Sequence, residues 1–326
     1  MPIKKLLFID TNIWLDFYRA RNDAGLALLR HAEAVADRIV VTFQLESEFK
    51  KNRQTVILEG IQELKAPAPI SRPGLFSDAK AADMLNKSIK QAEKQVRAMK
   101  TRLTRALDDP AHYDPVYKGC QRIFHKGGNL VLTRDDKVRH LIRRKALRRF
   151  LHGCPPRKKN DTAIGDAFNW EWMIYCATAN NAELVIVSRD SDYGVVFENV
   201  AHVNDHLKQE FGERVSKKRK LLLYTRLSEA LKHFAVPVTP VEESAEHDLI
   251  EASKSDDDDI RAEIERLLGG NTLQHKIELA EKVRKIVIKA IADGREVLGP
   301  RMAHALRTIT EETRLAKERL KNERQP

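Results

Sequence analysis

The chain has 326 residues, of which 42% are hydrophobic and 32% charged, and a formal net charge of +11. That hydrophobic share supports one large domain or two modest ones, and the excess of Lys and Arg suits a polyanionic partner whose counterions it would release. Three cysteines without a CxxC pair (Cys120, Cys154, Cys176) speak against a disulfide framework or a zinc site. No run approaches the roughly 20 apolar residues that span a bilayer and the first residues form no cleavage-type leader, so the expectation is a cytoplasmic protein with reduced thiols and no membrane contact.

In chain order, Lys5–Ile9 is a short apolar run ending in an acid, as a buried parallel strand would be. An amphipathic segment follows over 14–36, then a second buried strand over 38–42, then a helix over 44–64 that Pro67 and Pro69 stop. Strand, helix, strand, helix predicts a parallel sheet with right-handed crossovers. A long polar helix over 77–107 places Leu85, Ile89, Ala92, Val96, Met99, Leu103 and Ala106 alternately four and three residues apart. That stripe calls for a partner helix, expected within the chain as a helical hairpin, with a protein partner or self-association as the alternative.

Residues 127–132 form a weak strand candidate and 135–151 a strongly basic helix. After Pro155-Pro156 a further helix is expected over 163–179, the clearest later strand over 183–188, a last strand over 220–225 and a closing helix over 228–234. Beyond Pro237 the composition turns to Pro and Glu and the run Asp256–Asp259, which marks a flexible acidic linker. The expected organisation is an α/β domain over 1–236 with a helical insertion at about 66–151, a linker over 237–259, and an α-helical region over 260–326 whose helices offer a second surface for association.

Ligands in open α/β sheets bind beyond the carboxyl ends of the strands. Asp10 follows the first strand, Asp190 and Asp192 follow the strand over 183–188, Glu48 lies one turn into the helix after the second strand, and Asp161 and Asp166 flank the start of the helix near 163. Glu46 competes with Glu48, and Asp190 with Asp192, for the principal place. Each pair of carboxylates at about 4 Å repels by roughly 4 kcal/mol at an effective dielectric near 20. A hard divalent ion removes that cost and takes oxygen ligands, so the expected cofactor is Mg²⁺ or Mn²⁺. Individually, each acid also reads as a cap or a solvated helix residue; jointly they share one sheet edge.

Four segments carry a resemblance. Phe8-Ile-Asp-Thr-Asn12 resembles the opening motif of PIN domains, Thr42-Phe-Gln-Leu-Glu-Ser-Glu48 the second, Ile164-Gly-Asp-Ala-Phe-Asn-Trp170 the third and Val187-Ser-Arg-Asp-Ser-Asp-Tyr193 the fourth. Pro155-Pro-Arg-Lys-Lys-Asn-Asp161 is similar to the PIN-like branch formerly catalogued as a domain of unknown function. The resemblance covers about residues 3–235. It implies a three-layer α/β/α fold and a metal-dependent phosphodiester hydrolase, foremost an endoribonuclease, with a structure-specific DNA nuclease as the alternative; the family includes toxins, RNA-maturation enzymes and defence nucleases, and the residues do not choose among toxin, defence and maturation settings. Asp10, Glu48, Asp166 and Asp190 then match the metal-holding catalytic acids, with Asp161 and Asp192 as auxiliary ligands. Thr11, Asn12 and Ser188 would orient acids or waters, or cap their helices and turns.

Between Arg134 and Asp161 stand eleven Lys or Arg against three Asp. Arg143, Arg144, Lys145, Arg148 and Arg149 are expected to track a phosphate backbone beside the acids, RNA favoured over DNA, with Arg157, Lys158 and Lys159 at the phosphates near the cut. The same stretch also reads as a solvated helix face. Trp14, Trp170 and Trp172 read as core. Two other classes are weighed: an aspartyl-phosphate phosphatase, disfavoured because Asn12 stands where that chemistry wants a second acid, and a non-catalytic nucleic-acid-binding or assembly module, disfavoured because all four acidic positions are filled.

Overall fold

The computed structural model describes residues 3–20, 22–68, 80–156, 164–198 and 200–252. Three parallel strands form its centre: β1 (Lys5–Ile9), β4 (Glu183–Val187) and β7 (Leu221–Tyr224), in the order β1-β4-β7. Every residue of β4 and four of five in β1 are buried, as expected of strands covered on both faces. The register pairs Ile9 with Val187 and Val187 with Tyr224. Asp10 N–H continues the first ladder to Val187 O (2.9 Å) and Ser188 N–H continues the second to Tyr224 O (3.0 Å). The residues after the strands therefore emerge side by side.

The strand expected over 38–42 is shorter. Residues Ala36–Arg38 form a 3-10 turn, Ile39 makes a single parallel bridge to Leu7, and only Val41–Thr42 (β2) pairs, with Val131–Leu132 (β3). Around these strands stand α1 (Thr11–Arg19), α2 (Asp23–Ala34), α3 (Phe43–Glu63), α4 (Lys80–Asp108), α5 (Pro110–Tyr113), α6 (Pro115–Phe124), α7 (Arg139–Leu151), α8 (Gly165–Asn180), α9 (Asp205–Arg214) and α10 (Leu227–His233). An antiparallel hairpin, β5 (Gly194–Phe197) with β6 (Val200–Val203), interrupts the order. Trp14 and Trp170 are fully buried and Trp172 nearly so. Trp14 donates to Ile9 O (2.9 Å) and meets Phe124 edge-on at 5.2 Å, which seats α1 against the end of β1. Among the described residues no helix is long and apolar enough to cross a membrane.

Two expectations change. The stripe on α4 does not settle into a helical hairpin among the described residues: Leu85 and Met99 are each 45% exposed and only Ala106, in the last turn, is buried. The anchor lies at that end, where Arg53 of α3 donates to Ala106 O. The acidic segment beyond Pro237 is helical over residues 240–252. Its Glu246, 7% exposed, accepts the amides of Leu227 (2.6 Å) and Ser228 (3.0 Å), capping α10, which has no side-chain cap of its own. Backbone packing divides the chain into Met1–Glu246 and His247–Pro326. The expected helices over 260–326, the remainder of the linker and the first residues of the arm lie outside the described residues.

The insertion is held by a buried ion pair, Arg53–Asp114 (2.8 Å, side chains 4% and 2% exposed). Asp114 also accepts from Tyr18 of α1 (2.7 Å) and caps α6 through Tyr117 N (2.8 Å). Removing one partner leaves the other charge buried and uncompensated, at a cost of about 3–5 kcal/mol. Urea unfolding of Asp114→Ala is expected to show a loss of that size, larger than for exposed-pair variants such as Arg97→Ala.

Candidate active site

Strand register builds the site first. With Ile9 opposite Val187, Asp10 stands beside Ser188, whose hydroxyl donates to Asp10 Oδ2 at 2.6 Å. Asp10 is also the N-cap of α1, its Oδ1 accepting from Thr11 N at 2.7 Å. The carboxylate is 4% exposed. Ser188 Oγ in turn accepts from Asp190 N (3.1 Å), which folds the loop after β4 back over the end of β1.

The first turn of α1 reaches the other acids. Thr11 Oγ1 donates to Glu48 Oε2 (3.2 Å) and Asn12 Nδ2 to Asp190 Oδ1 (3.1 Å). The side chains of Thr11, Asn12 and Ser188 thus each donate to a different acid. Glu48 is held from its own helix by Gln44 Nε2 (2.9 Å). A Cβ at Gly165, the first residue of α8, would overlap Glu48 Oε1, so the missing side chain lets that carboxylate lie against the start of α8 beside Asp166. Thr42 sets this approach: it caps α3 by accepting from Leu45 N (3.0 Å) and donates to Asn169 Oδ1 of α8 (2.5 Å).

Alternation on α3 separates the two glutamates. Glu46 pairs with Lys50 (2.6 Å) and His125 (2.9 Å); burial raises its pKa, but the bonds and charges of those two partners leave it below its ordinary value. Glu48 is the one turned to Thr11. The charge of Asp190 presses on Asp10. Burial first, then the charge of Asp190, raise Asp10 from an ordinary 3.8 to about 7; Ser188 and Thr11 pull it back only in part, and Glu48 adds a smaller push. Burial and then the charges of Asp166, Asp10, Asp190 and Glu48 hold the Tyr193 phenol far above its usual range. All four acids thus act electrostatically on this one buried phenol.

The oxygen-only donor set, with neither His nor Cys in it, suits a hard divalent ion. Among the described residues no three His, Cys, Asp or Glu side chains close on a point that would hold an ion by themselves. Asp161, Arg157, Lys158 and Lys159 lie outside the described residues. Gln44, Gly165 and Tyr193 were not singled out from sequence; Gly165 and Tyr193 stand inside the third and fourth motifs, which was the available signal.

The basic helix α7 is corrected in part. Arg149 is not on its exposed face: it is 7% exposed, paired with Glu171 (3.2 Å) and Glu210, and lies over the Trp170 ring at 5.8 Å. Its position, three residues after the buried Ala146, turns it inward. Arg143, Arg144, Lys145 and Arg148 are exposed. Lys145 and Arg148 line a cavity of about 490 Å³ shared with His206, Gln209 and Glu213 of α9. Closer in sequence to the acids, Arg134 donates to Ser47 Oγ (3.1 Å) and covers the Phe43 ring at 5.9 Å, both on the first turns of α3.

Without a cation, the folded chain keeps a proton on Asp10 that the unfolded chain loses above about pH 4. The folded state then binds more protons between about pH 4 and 7, so stability falls as pH rises through that window. Asp10→Asn removes the titration. In chelator, the difference in Tm should move in the variant's favour from pH 4 to pH 8, by about 2–4 °C for each kcal/mol relieved; a difference that ignores pH would contradict the raised pKa.

No curated protein and no solved structure matches the chain. A family model described as a PIN domain matches residues 7–193, more than half of the sequence and all four acidic segments, and the chain belongs to the PIN domain family.

Proposed function

We propose that this chain is a Mg²⁺- or Mn²⁺-dependent endoribonuclease whose metal is held by Asp10, Glu48, Asp166 and Asp190. PIN domains are in general metal-dependent nucleases acting on nucleic acid, often RNA. The observation that carries the reading for this chain is the set of hydrogen bonds that draws three acids together at the end of β1, Ser188 to Asp10, Thr11 to Glu48 and Asn12 to Asp190, with Asp10 raised by burial and by its neighbours' charge. Such repulsion is stable only as a proton or a cation relieves it. A divalent ion bound there would supply an activated water and screen charge on the phosphate.

The chain's own residues do the remaining work. Ser188 and Thr11 N–H fix both oxygens of Asp10, and Asn12 and Thr11 aim Asp190 and Glu48, so the acids are pre-organised before an ion arrives. Asp192 and Asp161 serve as auxiliaries. Arg134 beside α3 and the exposed Arg143, Arg144, Lys145 and Arg148 of α7 supply phosphate contacts, with Arg157, Lys158 and Lys159 nearer the cut. RNA is favoured over DNA.

Purified protein is expected to cut RNA in Mn²⁺ or Mg²⁺ and to stop in chelator. Changes one shell away from a metal cost about 10–100-fold, so Asp10→Asn and Asp166→Asn should each lower cleavage at least about 100-fold. Full cleavage by either variant, or cleavage in chelator, would remove the proposal; preference for DNA across matched substrates would redirect it to a DNA nuclease. The pair Arg143→Ala and Arg144→Ala should weaken RNA binding across sequences and reduce the slope of log affinity against log salt by about one for each phosphate that the side chains no longer neutralise. An unchanged slope would assign those arginines to solvent.

A further inference from the structure

We infer that the cavity at the carboxyl ends of β2 and β3 is a base subsite that takes guanine. The inference rests on the RNA-cutting reading above and names what that site selects. The cavity, about 260 Å³, is lined by the residues that close the two strands (Thr42, Phe43, Thr133, Arg134) together with Glu46 and His125. β2 and β3 run parallel, and Ile39, at the entry to β2, makes a parallel bridge to Leu7 of β1. These carboxyl ends therefore open on the same side as Asp10, where open sheets bind ligands. Glu46 stands two residues before Glu48, which Thr11 holds at 3.2 Å, so the cavity flanks the acids across the first turns of α3.

The lining matches a flat ring better than a phosphate. Its floor is apolar, with Val41, Phe124 and Leu132 each at most 1% exposed. The Glu46 carboxylate would repel a phosphate. Pockets for drug-sized ligands run to roughly 300–1,000 Å³, so a space of about 260 Å³ suits one base. Phe43 meets Phe168 edge-on at 5.1 Å and carries the Arg134 guanidinium 5.9 Å from its centroid. Ser47 Oγ accepts from Arg134 at 3.1 Å and steadies it. Rings and guanidinium planes are the surfaces on which the splayed bases of single-stranded RNA stack. Glu46 sets the choice of base. Lys50 Nζ (2.6 Å) and His125 Nε2 (2.9 Å) both meet its Oε1, and its Oε2 has no partner among the described residues. A carboxylate oxygen offers about two lone-pair sites. On its pairing edge guanine presents two adjacent N–H groups; adenine, cytosine and uracil each present one, beside an acceptor that the carboxylate repels. A solvated ion cluster would need neither the ring nor the apolar floor beside it.

Nucleoside monophosphates, titrated into the full chain in chelator, read the subsite apart from catalysis. GMP should bind about 10-fold or more tighter than AMP, CMP or UMP, as for a two-bond base contact. IMP, which lacks the 2-amino group, should fall between and probes the same contact in the unaltered protein. Glu46→Gln should bring GMP down to the level of AMP, and Phe43→Leu should weaken all of them alike. With RNA and Mn²⁺, cuts should lie next to guanines, a bias that Glu46→Gln loses. Equal affinity for the nucleotides, ribose 5-phosphate competing as well as GMP, or a guanine preference that survives Glu46→Gln overturns the inference. A wild type that prefers GMP yet cuts no RNA removes the nuclease reading and leaves a guanine site. One that cuts RNA at every base alike and shows no preference for GMP removes the subsite and leaves the nuclease.

Discussion

One buried carboxylate sets the terms for the rest of the fold. Asp10 sits at the carboxyl end of the central sheet with 4% of its surface exposed, where solvent cannot screen Asp190 and Glu48. The protein compensates with a short hydroxyl bond from Ser188 and an amide bond at the start of α1, whose N-terminal dipole favours negative charge. Those bonds do not return Asp10 to its ordinary range. The remaining repulsion is a standing bias toward whatever positive charge the site admits, and it is tied to the core because the same residue that bears it terminates β1 and begins α1.

Elsewhere the charges are spent on architecture. Arg53 and Asp114 join α1, α3, α6 and the end of α4. Arg149, Glu171, Glu210 and Arg214 knit α7, α8 and α9, with Trp170 N–H donating to Glu210 (3.1 Å). Both networks are partly or wholly buried, where each charge needs its partner. They include residues of α3 and α8, the two helices that carry Glu48 and Asp166.

The legible part of this protein was the part whose residue pattern follows from burial itself. Lys5–Ile9 and Glu183–Val187 are short, largely apolar runs that suit a covered parallel strand, and the acids at their ends followed from the rule for open sheets. The hairpin β5–β6 was not legible because its Val195, Val196, Phe197 and Val200 are exposed, so no burial pattern marks it. The cap that Glu246 gives α10 was hidden for a different reason: composition read its segment as a linker, and its partners lie 18 and 19 residues away.

Sequence alone determined the central strands and the family motifs with the acids they contain, since apolar runs and their terminal residues are local properties of the chain. Tertiary structure alone decided the surroundings of neighbouring acids: Glu46 pairs with Lys50 and His125 while Glu48 accepts from Thr11, and Asp190 accepts from Asn12. It also turned Arg149 into the interior and buried Tyr193 against Phe8. These outcomes depend on helix rotation and strand register, which are set by packing against residues far away in sequence, and the balance of burial and charge at each side chain exists only once those distant segments have met.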